Sequence, residues 1–171
     1  MHTVKEEATP QEYINGNFLS RVDFNDTFSV TNHEINLHEI SKLIFHNPPK
    51  WINSLFKLRN KLVKLAGLKT EMPHDYNTNF AVGGYVGFFK IYAIADNELV
   101  LGADDAHLNF RAIILKTNER VYNIKVITLV HYNNSFGRFY MNVIKPFHRV
   151  VVKRLVKNAT CNNKSERRQM V

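Results

Sequence analysis

The stretch Ser135 to Lys157, SFGRFYMNVIKPFHRVVVKRLVK, constrains the fold most. Phe136, Tyr140, Val143, Phe147, Val150 and Val151 recur at spacings of three and four, which places them on one stripe of a helix turning about 100° per residue. Ser135 is an N-cap candidate, because its hydroxyl can accept an orphan N–H of the first turn. Lys153, Arg154 and Lys157 stand where the helix dipole favours cations. At about 1.5 Å per residue the helix runs roughly 34 Å, the width of a small domain. Pro146 removes one backbone donor inside it and predicts a bend, suited to a curved partner surface. A helix this long has to lie across whatever the rest of the chain builds.

The upstream residues build strands. Residues 1–22 show no period and read as an N-terminal arm. DFNDTFSV, Asp23 to Val30, has Phe24, Phe28 and Val30 on one parity, the signature of a half-buried strand. Asn36 caps a helix carrying Leu37, Ile40, Leu43 and Ile44 on one face, which Pro48 and Pro49 end. A second short helix follows from Lys50 or Trp51, with Trp51, Leu55, Leu58, Leu62 and Leu65 as its buried stripe and Gly67 beyond its end. Residues 69–84 read as a loop. Then come strands at Phe88 to Ala95, Leu99 to Leu101, His107 to Lys116 and Arg120 to His131, the last two joined by a hairpin at Thr117 to Glu119.

That order predicts an α+β fold: a curved antiparallel sheet wrapped around the long C-terminal helix, with two short helices after the first strand. Leu108, Phe110, Ala112 and Ile114, with Ile124, Val126, Thr128 and Val130, form apolar rows expected to face the helix. The single domain is expected over 23–157, followed by a basic, flexible tail at 158–171.

Composition narrows the function classes. The chain has 171 residues, enough for a substantial core, and 12 Phe and 7 Tyr against one Trp. Cys161 is the sole cysteine, so no intrachain disulfide or thiolate cluster forms, which fits a reducing cytoplasmic setting. No apolar run approaches the roughly 20 residues of a membrane span, and MHTVKEEATPQEY is not a secretory leader. The net charge of +8 resides in the C-terminal part: from Arg138 onward there are nine bases and one acid, Glu166. A basic face of this kind meets nucleic acid or anionic lipid, or is simply solvated, and nucleic acid is not the expected partner.

Common catalytic signatures are missing. GGYVG, Gly83 to Gly87, lacks the Lys and Ser or Thr of a phosphate-binding loop and precedes a strand, so its glycines serve a turn. No metal or other cofactor is expected. Two polar clusters remain. Asp105, His107, Asn109 and Arg111 share a strand parity, expected to be the wet one, and Asp105 with His107 is a candidate acid/base couple. His131, Asn134, Gly137, Arg138, Tyr140, Pro146, Phe147 and His148 join the last strand to the helix. Asn134 and Gly137 shape the turn, and His148 falls on the border of the apolar stripe.

ELVLGADDAHLNFR (Glu98 to Arg111), TLVHYNNSFGRFY (Thr128 to Tyr140) and IKPFHRVVVKRL (Ile144 to Leu155), preceded in order by DFNDTF and WINSLFKLRNKLVKLAGL, resemble the mostly bacterial domain-of-unknown-function family DUF2867. The resemblance covers Asp23 to Leu155, and the family pattern has Asp where this chain has Asn109. It implies a START-like (SRPBCC) helix-grip fold with a cavity between sheet and last helix, and it marks the two polar clusters without assigning roles.

Three functions follow as expectations. The first is a non-catalytic or weakly catalytic module for a small apolar molecule, lipid-like or aromatic, lined by Phe88, Tyr92, Phe110, Tyr122, Thr128, Tyr140, Phe147 and His148. The second is an enzyme acting on a small carbonyl or ester substrate through Asp105, His107, Arg111 and His148. The third is an interaction protein using the basic helix face and tail.

Overall fold

The computed structural model describes residues 3–16, 18–33, 35–45 and 75–160. The expected helix from Trp51 and the tail beyond Thr160 lie outside the described residues. Seven strands form one antiparallel sheet: β1 (Lys5–Glu7), β2 (Phe24–Val30), β3 (Tyr85–Val86), β4 (Phe89–Ile94), β5 (Glu98–Asp104), β6 (Leu108–Lys116) and β7 (Ile124–Tyr132), in the spatial order β1-β2-β7-β6-β5-β4-β3. Helices α1 (Gln11–Ile14), α2 (Leu37–Phe45) and α3 (Ser135–Lys157) complete the described elements. The curved sheet carrying the long C-terminal helix is a helix-grip arrangement.

Alternation sorts the side chains as the sequence implies. On the helix side, Phe28 and Val30 of β2, Ile124 and Val126 of β7, Ala112 and Ile114 of β6, and Leu99 and Leu101 of β5 join Ile40 and Ile44 of α2 and Leu155 and Val156 of α3 in one buried cluster. Each large aliphatic side chain buried there contributes about 1.5 to 3 kcal/mol. A second cluster nearer the start of α3 holds Phe24, Leu108, Val130, Tyr140 and Met141.

The supposed N-terminal arm is built into the fold. β1 pairs with β2, and the chain then crosses to the other face of the sheet, where Tyr13 packs with Val100, Ile113, Ile127 and Leu129. The Tyr13 hydroxyl donates to Glu98 at 2.7 Å. The sheet is therefore covered on both faces. Residues 1–22 lack a period because a three-residue strand and a one-turn helix are too short to show one.

The α3 contact face differs from the expected stripe. Gly137, Tyr140, Met141, Leu155 and Val156 are buried, whereas Phe139, Val143, Phe147 and Val150 are exposed. The helix carries apolar residues around most of its circumference. Hydrophobicity therefore does not set its phase, which turns Gly137 and His148 toward the sheet and Phe147 outward.

Both ends of α3 are tied to the sheet. The N-cap is Asn134, not Ser135: its Oδ1 accepts the Gly137 N–H at 3.0 Å, and its Nδ2 donates to the Ala106 carbonyl at 3.0 Å. A Cβ on Gly137 would sit 1.9 Å from the His107 carbonyl oxygen, so only glycine lets the first turn lie this close to the β5–β6 connection. That carbonyl also accepts the Asn133 N–H at 3.0 Å. Past the far end of α3, Asn32 Nδ2 donates to the Ala159 carbonyl at 2.8 Å, and Asn123 exchanges two side-chain hydrogen bonds with the Asn32 backbone.

Gly137→Ala is expected to destabilise the protein by about 2 kcal/mol or more through overpacking. Asn134→Ala is expected to cost about 1 kcal/mol through the lost cap. Urea midpoints at unchanged slope measure both, and a Gly137→Ala midpoint equal to that of the wild type would refute the close docking.

Candidate functional site

One transverse row on the helix side of the sheet interrupts the apolar packing. Asp26 of β2 lies opposite Thr128 of β7, Thr128 opposite Ala112 of β6, and Ala112 opposite Leu101 of β5. Asp26 shares the parity of Phe24, Phe28 and Val30, so strand geometry turns a carboxylate inward. Both of its oxygens are buried without a hydrogen bond, and His148 Nε2 of α3 approaches Oδ2 to 3.3 Å. The His148 ring stands edge-on to Phe24, with centroids 5.7 Å apart. Polar or small side chains thus separate the two apolar clusters directly beneath the helix.

This row reaches the surface at the edge of β2. Beyond the last β1 pairing, at Glu7 and Thr27, a notch of about 300 Å³ is lined by Glu6, Asp23, Phe24, Asn25, Asp26, Lys145 and Arg149. Arg149 pairs with Glu6 across its rim, and Lys145 stands 5.1 Å over the Phe24 ring. At the other end of the row, α3 packs on β2, β7 and α2, while Phe89 and Phe110 on the helix side of β4 and β6 keep part of their surface accessible. The two rings meet edge to face at 5.4 Å.

Of the expected ligand-lining residues, Phe110, Thr128, Tyr140 and His148 share this helix-facing side. Four do not join them. Phe88 projects from the β3–β4 turn, next to Gly87 at φ 61°, and Phe147 points outward from α3. Tyr122 sits at φ 57° in the β6–β7 connection, its hydroxyl 3.1 Å from that of Thr3. Tyr92 lies on the opposite face of the sheet, under the Arg111 guanidinium at 3.7 Å. Tyr92 follows Ile91, which faces the helix cluster, so strand alternation alone turns it to the other side.

The four candidate catalytic groups do not converge. Asp105 and His107 approach each other, with Nδ1 to Oδ2 at 3.5 Å, but His107 precedes β6 and is not on its parity. It is buried on the helix side, edge-on to Tyr140 at 5.0 Å and against Phe136. Arg111 stays on the other face, held by Asp104 at 2.7 and 3.2 Å. Asn109 receives the side-chain N–H of Asn133 at 2.8 Å. His148 belongs to Asp26. His131 takes up a separate partner, Asp23, at 3.0 Å, and Arg138 of the same motif is exposed on α3.

Two carboxylates on the far face are electrostatically anchored. Burial pushes the Asp23 carboxyl up, but the Tyr132 N–H, Arg21 and His131 outweigh it and hold it below the ordinary range. Burial likewise opposes ionisation of Asp104, and Arg111 with the Tyr92 hydroxyl brings it below that range. The Tyr92 phenol is pushed up to about 12 by burial and its bond to Asp104.

Asp26 is the residue that sequence reasoning missed. Its signal was present in DFNDTFSV: the position between Phe24 and Phe28 on the buried parity is a carboxylate, which an all-apolar row does not need.

Fold and site together define an α+β helix-grip protein with a buried carboxylate beneath its terminal helix and a half-buried imidazole of that helix beside it. The chain belongs to the DUF2867 family of proteins of unknown function, whose model matches residues 18–155. No curated protein and no solved structure matches it. Among the described residues, no helix is long and apolar enough to cross a membrane.

The depressed carboxylates predict acid sensitivity. A group whose folded pKa lies below its unfolded value stabilises the fold above the ordinary Asp value of about 3.9, and loses that contribution as pH falls through the folded pKa. Asp104→Asn is expected to flatten part of the decline in stability below about pH 4. Urea midpoints along a pH series test this, and an unchanged acid arm would exclude the Arg111–Asp104 pair as a contributor.

Proposed function

We propose that this chain is a START-like binding protein for a small, mostly apolar molecule carrying a hydrogen-bond donor, such as a hydroxyl or an ammonium. The observation that carries the reading is the unsatisfied Asp26 carboxylate beside His148, set between two apolar clusters. A buried carboxylate without hydrogen bonds is costly, and a ligand donor relieves that cost selectively in the bound state. Thr128 and Ala112 supply one further polar group and a small side chain along the row, and the accessible flanks of Phe110 and Phe89 offer apolar contact. The notch at the β2 edge provides an approach for the polar end.

An apolar ligand burying its surface at about 25 cal/mol per Å² reaches micromolar affinity after the costs of association. The enzymatic alternative through Asp105, His107, Arg111 and His148 receives less support, because Arg111 lies across the sheet from the two histidines.

Dodecanol, dodecylamine, dodecanoic acid and 2-naphthol, titrated by native mass spectrometry and by amide chemical shifts, test the proposal. The alcohol or amine is expected to bind more tightly than the acid. Asp26→Asn should weaken that preference about tenfold, one donor contact's worth, and Thr128→Leu, which puts a larger apolar side chain at the centre of the row, should abolish binding while unfolding stays cooperative. Absence of any binder, or a folded Thr128→Leu variant that binds as well as wild type, would refute it.

A further inference from the structure

The outward face of α3 combines two features that its role as a lid over the sheet does not use. Phe139, Val143, Phe147 and Val150, spaced by four, four and three, are 64, 44, 54 and 59% exposed. At about 100° per residue they fall within a narrow arc, beside the buried face. Such a contiguous row of large apolar groups left in water marks an interaction surface.

The second feature is charge. α3 carries Arg138, Lys145, Arg149, Lys153, Arg154 and Lys157 and not one carboxylate. Among the described residues, Arg149 alone of these six has an acidic partner, Glu6. Arg138, Arg149 and Lys153 lie on the solvent flank of the apolar arc, and Arg154 and Lys157 continue it toward the C-terminal end. An apolar stripe bordered by cations, on a helix held parallel to the molecular surface, matches a negatively charged layer with an apolar interior. Nucleic acid complements the cations but offers nothing to four exposed apolar side chains, and a second copy of the same face would oppose like charges.

We infer that the outer face of α3 docks on anionic lipid bilayers, seating Phe139, Val143, Phe147 and Val150 at the headgroup boundary while its bases contact lipid phosphates and carboxylates. This surface is on the side of the helix away from Asp26 and Thr128, so it is independent of the binding reading above.

Vesicle flotation of the full chain tests it, with phosphatidylcholine alone and with about 30 mol% phosphatidylserine added. The protein is expected to float with the anionic vesicles and not with the neutral ones, and binding should fall as salt rises from about 50 to about 500 mM. Phe147→Ser with Val150→Ser should lower the bound fraction about tenfold, and so should Lys153→Gln with Arg154→Gln, with unfolding midpoints near that of the wild type because all four positions face outward. Thr128→Leu should leave flotation unchanged. Equal binding to neutral vesicles, no flotation, retention on DNA that survives Phe147→Ser, or a concentration-dependent dimer lost in the Phe147→Ser variant would each overturn the proposal.

Discussion

The docking of α3 at both of its ends sets the geometry of everything else. At the start, the Asn134 cap and the bare Cα of Gly137 bring the first turn against the His107 carbonyl. Beyond the last turn, Asn32 donates to the Ala159 carbonyl and ties the chain leaving the helix to the residues after β2. A rod of 23 residues held at two points has its position and rotation on the sheet defined by those contacts. Its rotational phase is thus decided by contacts at its ends, and the side chains between them are presented to the sheet or to water accordingly.

That phase produces the Asp26–His148 approach. The helix turns His148 inward and Phe147 outward, although transfer free energy alone would favour the reverse. Burial of a carboxylate without hydrogen bonds beneath a helix costs stability. The apolar clusters on either side, together with the N-terminal segment packed on the opposite face, supply the compensating burial. The same choice leaves apolar surface outside, so the polar interior row and the exposed stripe on α3 are two results of one helix orientation.

The far face works differently. There Arg111, Tyr92 and Asp104 form a compact stack of guanidinium, ring and carboxylate, with Gly102 opposite Arg111 leaving room for its stem. This cluster is satisfied internally and partly open to solvent. It ties β4, β5 and β6 together at one end of the sheet, as paired side chains on adjacent strands commonly do.

Several features were legible in the residues alone. Strand alternation identified the rows Leu108 to Ile114 and Ile124 to Val130 that face the helix, because a period of two leaves little choice when one parity is apolar. Asn36 was legible as a cap because it precedes an apolar period, and its Oδ1 accepts the Glu39 N–H at 2.9 Å. Other features were not. β1 and α1 were too short to carry a period. His107 looked like part of a strand parity, but the chain bends just before β6 and sends its ring toward Tyr140. The site is half legible: parity and motif position mark Thr128, Tyr140 and His148, whereas Asp26 is hidden between its aromatic neighbours Phe24 and Phe28.

By itself, the sequence determined the class: strands by alternation, helices by their caps and periods, and a long basic terminal helix to cover the sheet. These are local properties, set by neighbours a few residues apart. Tertiary structure alone decided which face of that helix meets the sheet and which charged groups meet each other. Asp26 and His148 are brought together from opposite ends of the chain, and a helix apolar on several sides has no preferred orientation until a glycine and a pair of asparagines dock it.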